Sequence, residues 1–237
     1  GVQTCALPIL RLRERDSAER NEGMLLYIVR HGETDWNQER RMQGEHDTPL
    51  NKNGKELARI TARALEDVPF DLAISSPLSR ALETARILIG DRKIPVLRDS
   101  RIREINWGEW DGIGVRDPKY SSVSGTIRLF YEQPFSFPGA PGGETIREVC
   151  KRTGEFYQDL IHTESYRDKT ILVSTHGCAM RGILNQIYEN PENFWQEGVP
   201  VNCAVSIVRV NGETSEFIEK ETVYYDKSLC RNFYHME

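Results

Sequence analysis

The run Met24-Leu25-Leu26-Tyr27-Ile28-Val29 followed by Arg30-His31-Gly32-Glu33-Thr34-Asp35-Trp36-Asn37 decides the reading of this chain. Six apolar residues without alternation suit a central strand covered on both faces. A cation, an imidazole and a glycine then stand where that strand ends. Ligands of open α/β sheets bind outside the carboxyl ends of strands. Arginine supplies a rigid fork of donors and glycine lets backbone approach an anion closely, so the residue types suit a phosphate.

Outward from this stretch, further strand-like runs are short. Phe70–Ser75 alternates, with Phe70, Leu72 and Ile74 expected on one face. Thr170–Thr175 is a second buried-type run, and Cys203–Val210 alternates and is rich in β-branched residues. Helical spacing fills the gaps. One helix opens near Asn51, a good N-cap residue, and carries Leu57, Ile60, Ala64 and Leu65. A second spans Leu78–Ile89 behind Ser76-Pro77. Thr145–His162 repeats apolar residues at three-four spacing. A fourth follows His176-Gly177 and runs to about Tyr188. Alternating strands and helices predict an α/β fold: a three-layer α/β/α sandwich around a mostly parallel sheet. Residues 111–143 hold Gly, Pro, Ser and aromatics with weak periodicity. A lid or specificity insertion is expected at 108–143, within a single domain over 24–237.

The 237 residues carry a formal net charge of −5, with 38% hydrophobic and 28% charged side chains. That describes a soluble globular chain without the basic patch that nucleic acid requires. No apolar stretch approaches the ~20 residues that span a bilayer. The five cysteines have no CxxC spacing and the histidines form no HxH or HExxH. No metal, no cofactor and no disulfide framework is expected, and free thiols point to the cytoplasm. Gly1–Ile9 reads GVQTCALPI, the direct translation of GGA GTT CAG ACG TGT GCT CTT CCG ATC, which looks like a sequencing adaptor. Residues 1–23 are therefore expected to be a non-native or disordered leader. Their four Arg and four acids cancel, so the charge of the remainder stays at −5.

Charge recurs at other strand ends. Arg80 falls in the first turn of a helix behind Phe70–Ser75, and His176 follows Thr170–Thr175 directly. Glu104 lies between them among aromatics, and Asn37, Gln43 and Gly44 could line the same mouth. One reaction uses all of these. Arg30 and Arg80 could hold a phosphomonoester, which carries about two negative charges, and neutralise its transition state. His31 could attack phosphorus to give a phosphohistidine. His176 could donate to the equatorial oxygens. Glu104, with its pKa raised by crowding from Trp107 and Trp110, could protonate the leaving alkoxide and later activate water.

The constellation resembles the histidine phosphatase superfamily, the phosphoglycerate-mutase-like proteins. Arg30 to Asn37 matches its Arg-His-Gly-Glu-Thr/Ser-x-x-Asn signature. Ser75 to Ala81 with Thr84-Ala85, the REINWGEWDG of residues 103–112, Gly143-Glu144-Thr145 and Ser174 to Gly177 match later motifs in order, across roughly residues 24–210. The resemblance implies a phosphohistidine at His31, a core of Arg30, His31, Arg80 and His176, and Glu104 as proton donor. It implies a metal-independent phosphatase of small phosphorylated substrates and leaves oligomeric state open. The 72 residues from Glu104 to His176 resemble the compact phosphatases more than the mutases, which carry a longer insertion there. Phosphoglycerate mutase is the alternative reaction, and a non-catalytic phosphate-binding or regulatory protein the alternative class. Cys203 to Arg209 has thiol-phosphatase spacing but lacks the glycines that wrap a phosphate, and reads as strand. Cys178 reads as a packing residue, and His46 and His162 as exposed or structural.

Overall fold

A computed structural model of the protein describes residues 23–230; the expected leader (apart from Gly23), Cys5 and Tyr234 lie outside them. The strands are β1 (Met24–Arg30), β2 (Leu72–Ser75), β3 (Val96–Arg98), β4 (Thr170–Thr175), β5 (Val205–Asn211) and β6 (Thr214–Thr222). They form one sheet in the order β3-β2-β4-β1-β5-β6. The four strands from β3 to β1 are parallel, and β5 and β6 are antiparallel. All seven residues of β1 are buried, as a strand covered on both faces requires.

The two faces of β1 feed two different cores. Met24, Leu26 and Ile28 pack with Phe156, Tyr157, Leu160 and Ile183. Those side chains come from two helices, α5 (Ile146–His162) and α6 (Gly177–Leu184). Leu25, Tyr27 and Val29 pack on the opposite face with Ala85, Leu88 and Ile89 of α3 (Ser79–Ile89) and with Leu65, the residue that closes α2 (Lys52–Ala64). Helices therefore cover both sides of the sheet, giving three layers, while α1 (Asp35–Gln38) is a single short turn after β1. Asn51 caps α2 by accepting from the Gly54 N–H, and Thr145 and Glu148 form a reciprocal capping box on α5.

Several elements depart from the sequence reading. β2 begins at Leu72, so Phe70 precedes the pleat and escapes its alternation. It packs with Ala73 and sits edge-on to Tyr27, on the face opposite Leu72 and Ile74. β5 starts at Val205 because Cys203 adopts a left-handed backbone, φ 57°. The helix after His176 stops at Leu184. Residues 111–143 hold a full helix, α4 (Tyr120–Glu132), where weak periodicity hid it. Only Ile127 and Phe130 of α4 are buried, and its N-cap makes no side-chain bond. Tertiary contacts rather than an amphipathic stripe stabilise it: Trp195 donates from Nε1 to the Phe130 carbonyl at 2.6 Å, and both rings meet edge to face. The stretch after Val210 continues β5 into β6 through Gly212, φ 60°, so Asn211-Gly212 was a readable hairpin signal.

Candidate active site

Register brings the strand-end residues together. Arg30 of β1 lies opposite Thr175 of β4, and the His31 N–H donates to the Thr175 carbonyl at 2.9 Å. The residues that follow this pair, His31 and His176, therefore emerge side by side, with ring centroids 5.0 Å apart. Ser75 of β2 pairs with Ser174 of β4, which sets the start of α3, and hence Arg80, beside them.

Both imidazoles are buried, and burial together with the positive charge of Arg80 drives each pKa well below the ordinary histidine value. They are neutral at pH 7. The His31 Nδ1–H donates to the Gly32 carbonyl at 2.7 Å, which leaves the lone pair on Nε2. His176 bonds Ser76 Oγ through Nε2 at 2.7 Å, and its buried Nδ1 has no partner. Gly32 serves packing rather than anion approach. A Cβ there would stand 2.6 Å from the Gly54 carbonyl of α2, and the Gly32 N–H is spent on Thr84 Oγ1.

Arg80 has no exposed surface. It donates to the Gly44 carbonyl at 2.6 Å and the His46 carbonyl at 2.9 Å, while its Nε is buried without a partner. Burial pulls this guanidinium down to about 10, against the opposing pull of Glu104, Asp47 and Asp111, so it stays cationic at neutral pH. Arg30 is also buried and donates to the Pro200 carbonyl.

Glu104 sits differently from the crowded carboxyl the sequence suggested. Backbone N–H groups face it: Ile105 at 3.0 Å, and Cys178 and Ala179 in the first turn of α6 at 3.2 and 3.1 Å. Trp107 and Trp110 instead pack on Phe137. The loop is pinned from behind by Arg152, which donates to the carbonyls of Arg101, Arg103 and Glu104 and pairs with Glu144. That gives Glu144 of the Gly-Glu-Thr motif a physical role, holding the Glu104 loop.

Asn37 donates to Gln43 Oε1 and accepts from the Thr34 N–H and from Asn202. Gln43 Nε2 donates to Thr34 and Thr48 hydroxyls, which uses both of its hydrogens. Gln43 thus orients Asn37. The Gly44 N–H is taken by Asp111 at 2.8 Å, so Gly44 supports Arg80 through its carbonyl and presents no donor. Asn202 was missed: it donates to the His31 carbonyl at 3.0 Å, from a loop 171 positions away, with no local motif to mark it.

A cavity of about 240 Å³ opens here. Arg30, His31, Asn37, Gln43 and Glu104 line its floor. Arg80, His176 and Gly44 lie behind that surface. Ile113, Val115, Tyr120, Ile127, Phe130 and Tyr131 of the 108–143 segment line the cavity as well. The Cys203 thiol is buried, and burial pushes it up to about 12, which removes it as a nucleophile.

The model of the histidine phosphatase superfamily, branch 1, matches residues 26–221. The chain belongs to that superfamily. It is 32% identical to 2,3-bisphosphoglycerate-dependent phosphoglycerate mutase 2 of Gloeobacter violaceus, over 77% of this chain and 84% of the relative. It is 29% identical to phosphoserine phosphatase 1 of Hydrogenobacter thermophilus, over 78% and 86%. Among solved structures, Bacillus stearothermophilus YhfR is 33% identical with a TM-score of 0.75, covering 84% of this chain and 98% of that one. Members of this histidine phosphatase group act as phosphatases or mutases on small phosphorylated substrates. No helix among the described residues is long and apolar enough to cross a membrane.

Proposed function

We propose that this protein is a phosphatase of small phosphomonoesters that works through a phosphohistidine on His31. The observation that carries the reading is the state of His31: buried, neutral, with Nδ1 tied to Gly32, Nε2 left as nucleophile, and the charges of Arg80 and Arg30 acting on it. Nε2 attacks phosphorus in line, and the bond to the ester oxygen breaks. Arg30 and Arg80 neutralise the charge on the transferring group, and the unpartnered Nδ1 of His176 offers it a further donor. Two guanidinium groups supply the charge that a metal would otherwise provide.

Glu104 is the one acid on the described cavity wall, so it is assigned the proton for the leaving alkoxide. The N–H groups of Ile105, Cys178 and Ala179 bond its oxygens and hold the carboxyl in place for both half-reactions. Water then attacks the phosphohistidine, the P–N bond breaks, and Glu104 takes the water proton. No disulfide joins the four described cysteines, which supports a cytoplasmic setting.

Hydrolysis of p-nitrophenyl phosphate is expected to survive EDTA and to fall at least about 10³-fold in His31→Ala. Equal activity in that variant removes His31 from the nucleophile role. An inactive wild type across a phosphomonoester panel favours a binding protein. Interconversion of 2- and 3-phosphoglycerate without net hydrolysis would make it a mutase.

A further inference from the structure

The cavity has two chemically distinct ends. Beyond the floor that carries His31, its wall comes from the turn after Gly112, from α4, and from the loop at residues 195–199. The side chains presented there are mostly apolar. Several polar groups nearby are already committed. Trp195 spends its only donor on the Phe130 carbonyl. Arg41 donates to the Gly112 carbonyl at 2.7 Å, pairs with Glu39 at 3.2 Å, and lies 4.5 Å over the Trp36 ring. Arg181, behind the 195–199 loop, is spent on the Gly198 carbonyl and Glu221. Arg40 stands on the exposed rim.

We propose that the alcohol half of the substrate is apolar and ring-sized, seated against Ile113, Val115, Ile127, Tyr131, Trp195 and Val199. This rests on the phosphoryl chemistry proposed above and names the class of ester it serves. A ring placed there removes apolar surface from water on both partners. A second anionic group, such as the carboxylate of a phosphoglycerate, would find among the lining residues of that wall only Arg40 at the rim and the already paired Arg41. The cavity, about 240 Å³, is smaller than the usual ligand pocket of roughly 300 Å³ or more, which suits a compact alcohol such as one ring. Wall and floor also have separate supports: aromatic packing holds the lid, whereas hydrogen bonds between strand ends hold His31. Selectivity can therefore change without displacing the nucleophile.

The test compares esters of equal intrinsic reactivity. Hydrolysis of 2-phenylethyl phosphate and ethyl phosphate, both alkyl leaving groups, is measured beside 3-phosphoglycerate. The phenylethyl ester is expected to show a kcat/KM at least about 10-fold above the other two. Ile127→Ser and Val115→Ser should each lower the phenylethyl-to-ethyl ratio at least about 3-fold. That ratio does not depend on how much of a variant folds, and Val115 is 45% exposed, so its replacement leaves the core intact. Equal values for the two alkyl esters, a preference for 3-phosphoglycerate, or ratios unmoved in both variants would overturn the inference while leaving the phosphatase reading in place. Total inactivity would instead defeat the phosphatase reading. Calorimetry with the matching phosphonates then still decides: tighter binding of the phenyl compound by about 10-fold supports the apolar subsite, and equal binding rejects it.

Discussion

At the strand ends behind the cavity, Arg80, His176, Ser76 and Thr34 are buried and joined by hydrogen bonds to named atoms. In the lid half, Trp107, Phe130, Phe137 and Trp195 meet through their rings, and the Trp195 to Phe130 bond is the polar tie between them. Hydrogen bonds are directional, so the first half holds reacting groups in one geometry. Apolar contact is not directional, so the second half can be repacked at moderate cost. Chemistry is therefore expected to be brittle at the strand ends and selectivity adjustable at the lid.

After loss of the nucleophile itself, the largest effect should come from Arg80→Lys. Lysine keeps the charge but loses the fork that spans the Gly44 and His46 carbonyls and still offers a third N–H. A fall in kcat of about 10²–10³-fold is expected, read as kcat against KM on p-nitrophenyl phosphate. A change confined to KM would show that Arg80 only binds, and would weaken the contrast between the halves.

A smaller effect concerns pH. His31 and His176 have folded-state pKa values below the unfolded one. Between those values and about 6.5 the unfolded chain binds protons that the folded chain refuses. Stability is therefore fully present above that window and falls as pH drops through it, by at most about 1.4 kcal/mol per pH unit for each imidazole. Urea denaturation at pH 8, 6.5 and 5.5 reads this slope, ahead of the acid range where the paired carboxylates Asp99 and Glu144 are lost. Undiminished stability at pH 5.5 would mean that the imidazoles accept protons in the folded state, against a neutral nucleophile.

The smallest effect belongs to the lid. Trp195→Phe keeps a ring but removes the donor to the Phe130 carbonyl. A loss of about 1 kcal/mol in unfolding free energy is expected, with kcat changed less than about 3-fold. A large fall in kcat would show that the two halves are coupled and break the comparison.

Legibility in the sequence follows the same division. Arg30, His31 and His176 stand directly at the ends of apolar runs, so local pattern located them. β3 was hidden because all three of its residues are exposed and it pairs only through Pro95 to Arg98 beside β2. α4 was hidden because two buried residues in thirteen leave no stripe to detect. The surroundings of Glu104 could not be foreseen, since its hydrogen-bond donors come from residues 178 and 179, far along the chain.

By itself the sequence determined the layered α/β class, the strand-end position of the Arg30-His31 pair and the family resemblance, because these depend on apolar runs and on contiguous or ordered motifs. Tertiary structure alone decided what each group is bonded to. It put Asn202 on the His31 carbonyl, Arg152 behind the Glu104 loop and Gln43 on Asn37. It also made Gly32 a packing contact with α2 and set α4 on the cavity wall. The physical reason is that hydrogen bonds and burial join atoms near in space, and the fold brings together residues that the chain keeps 52 to 171 positions apart.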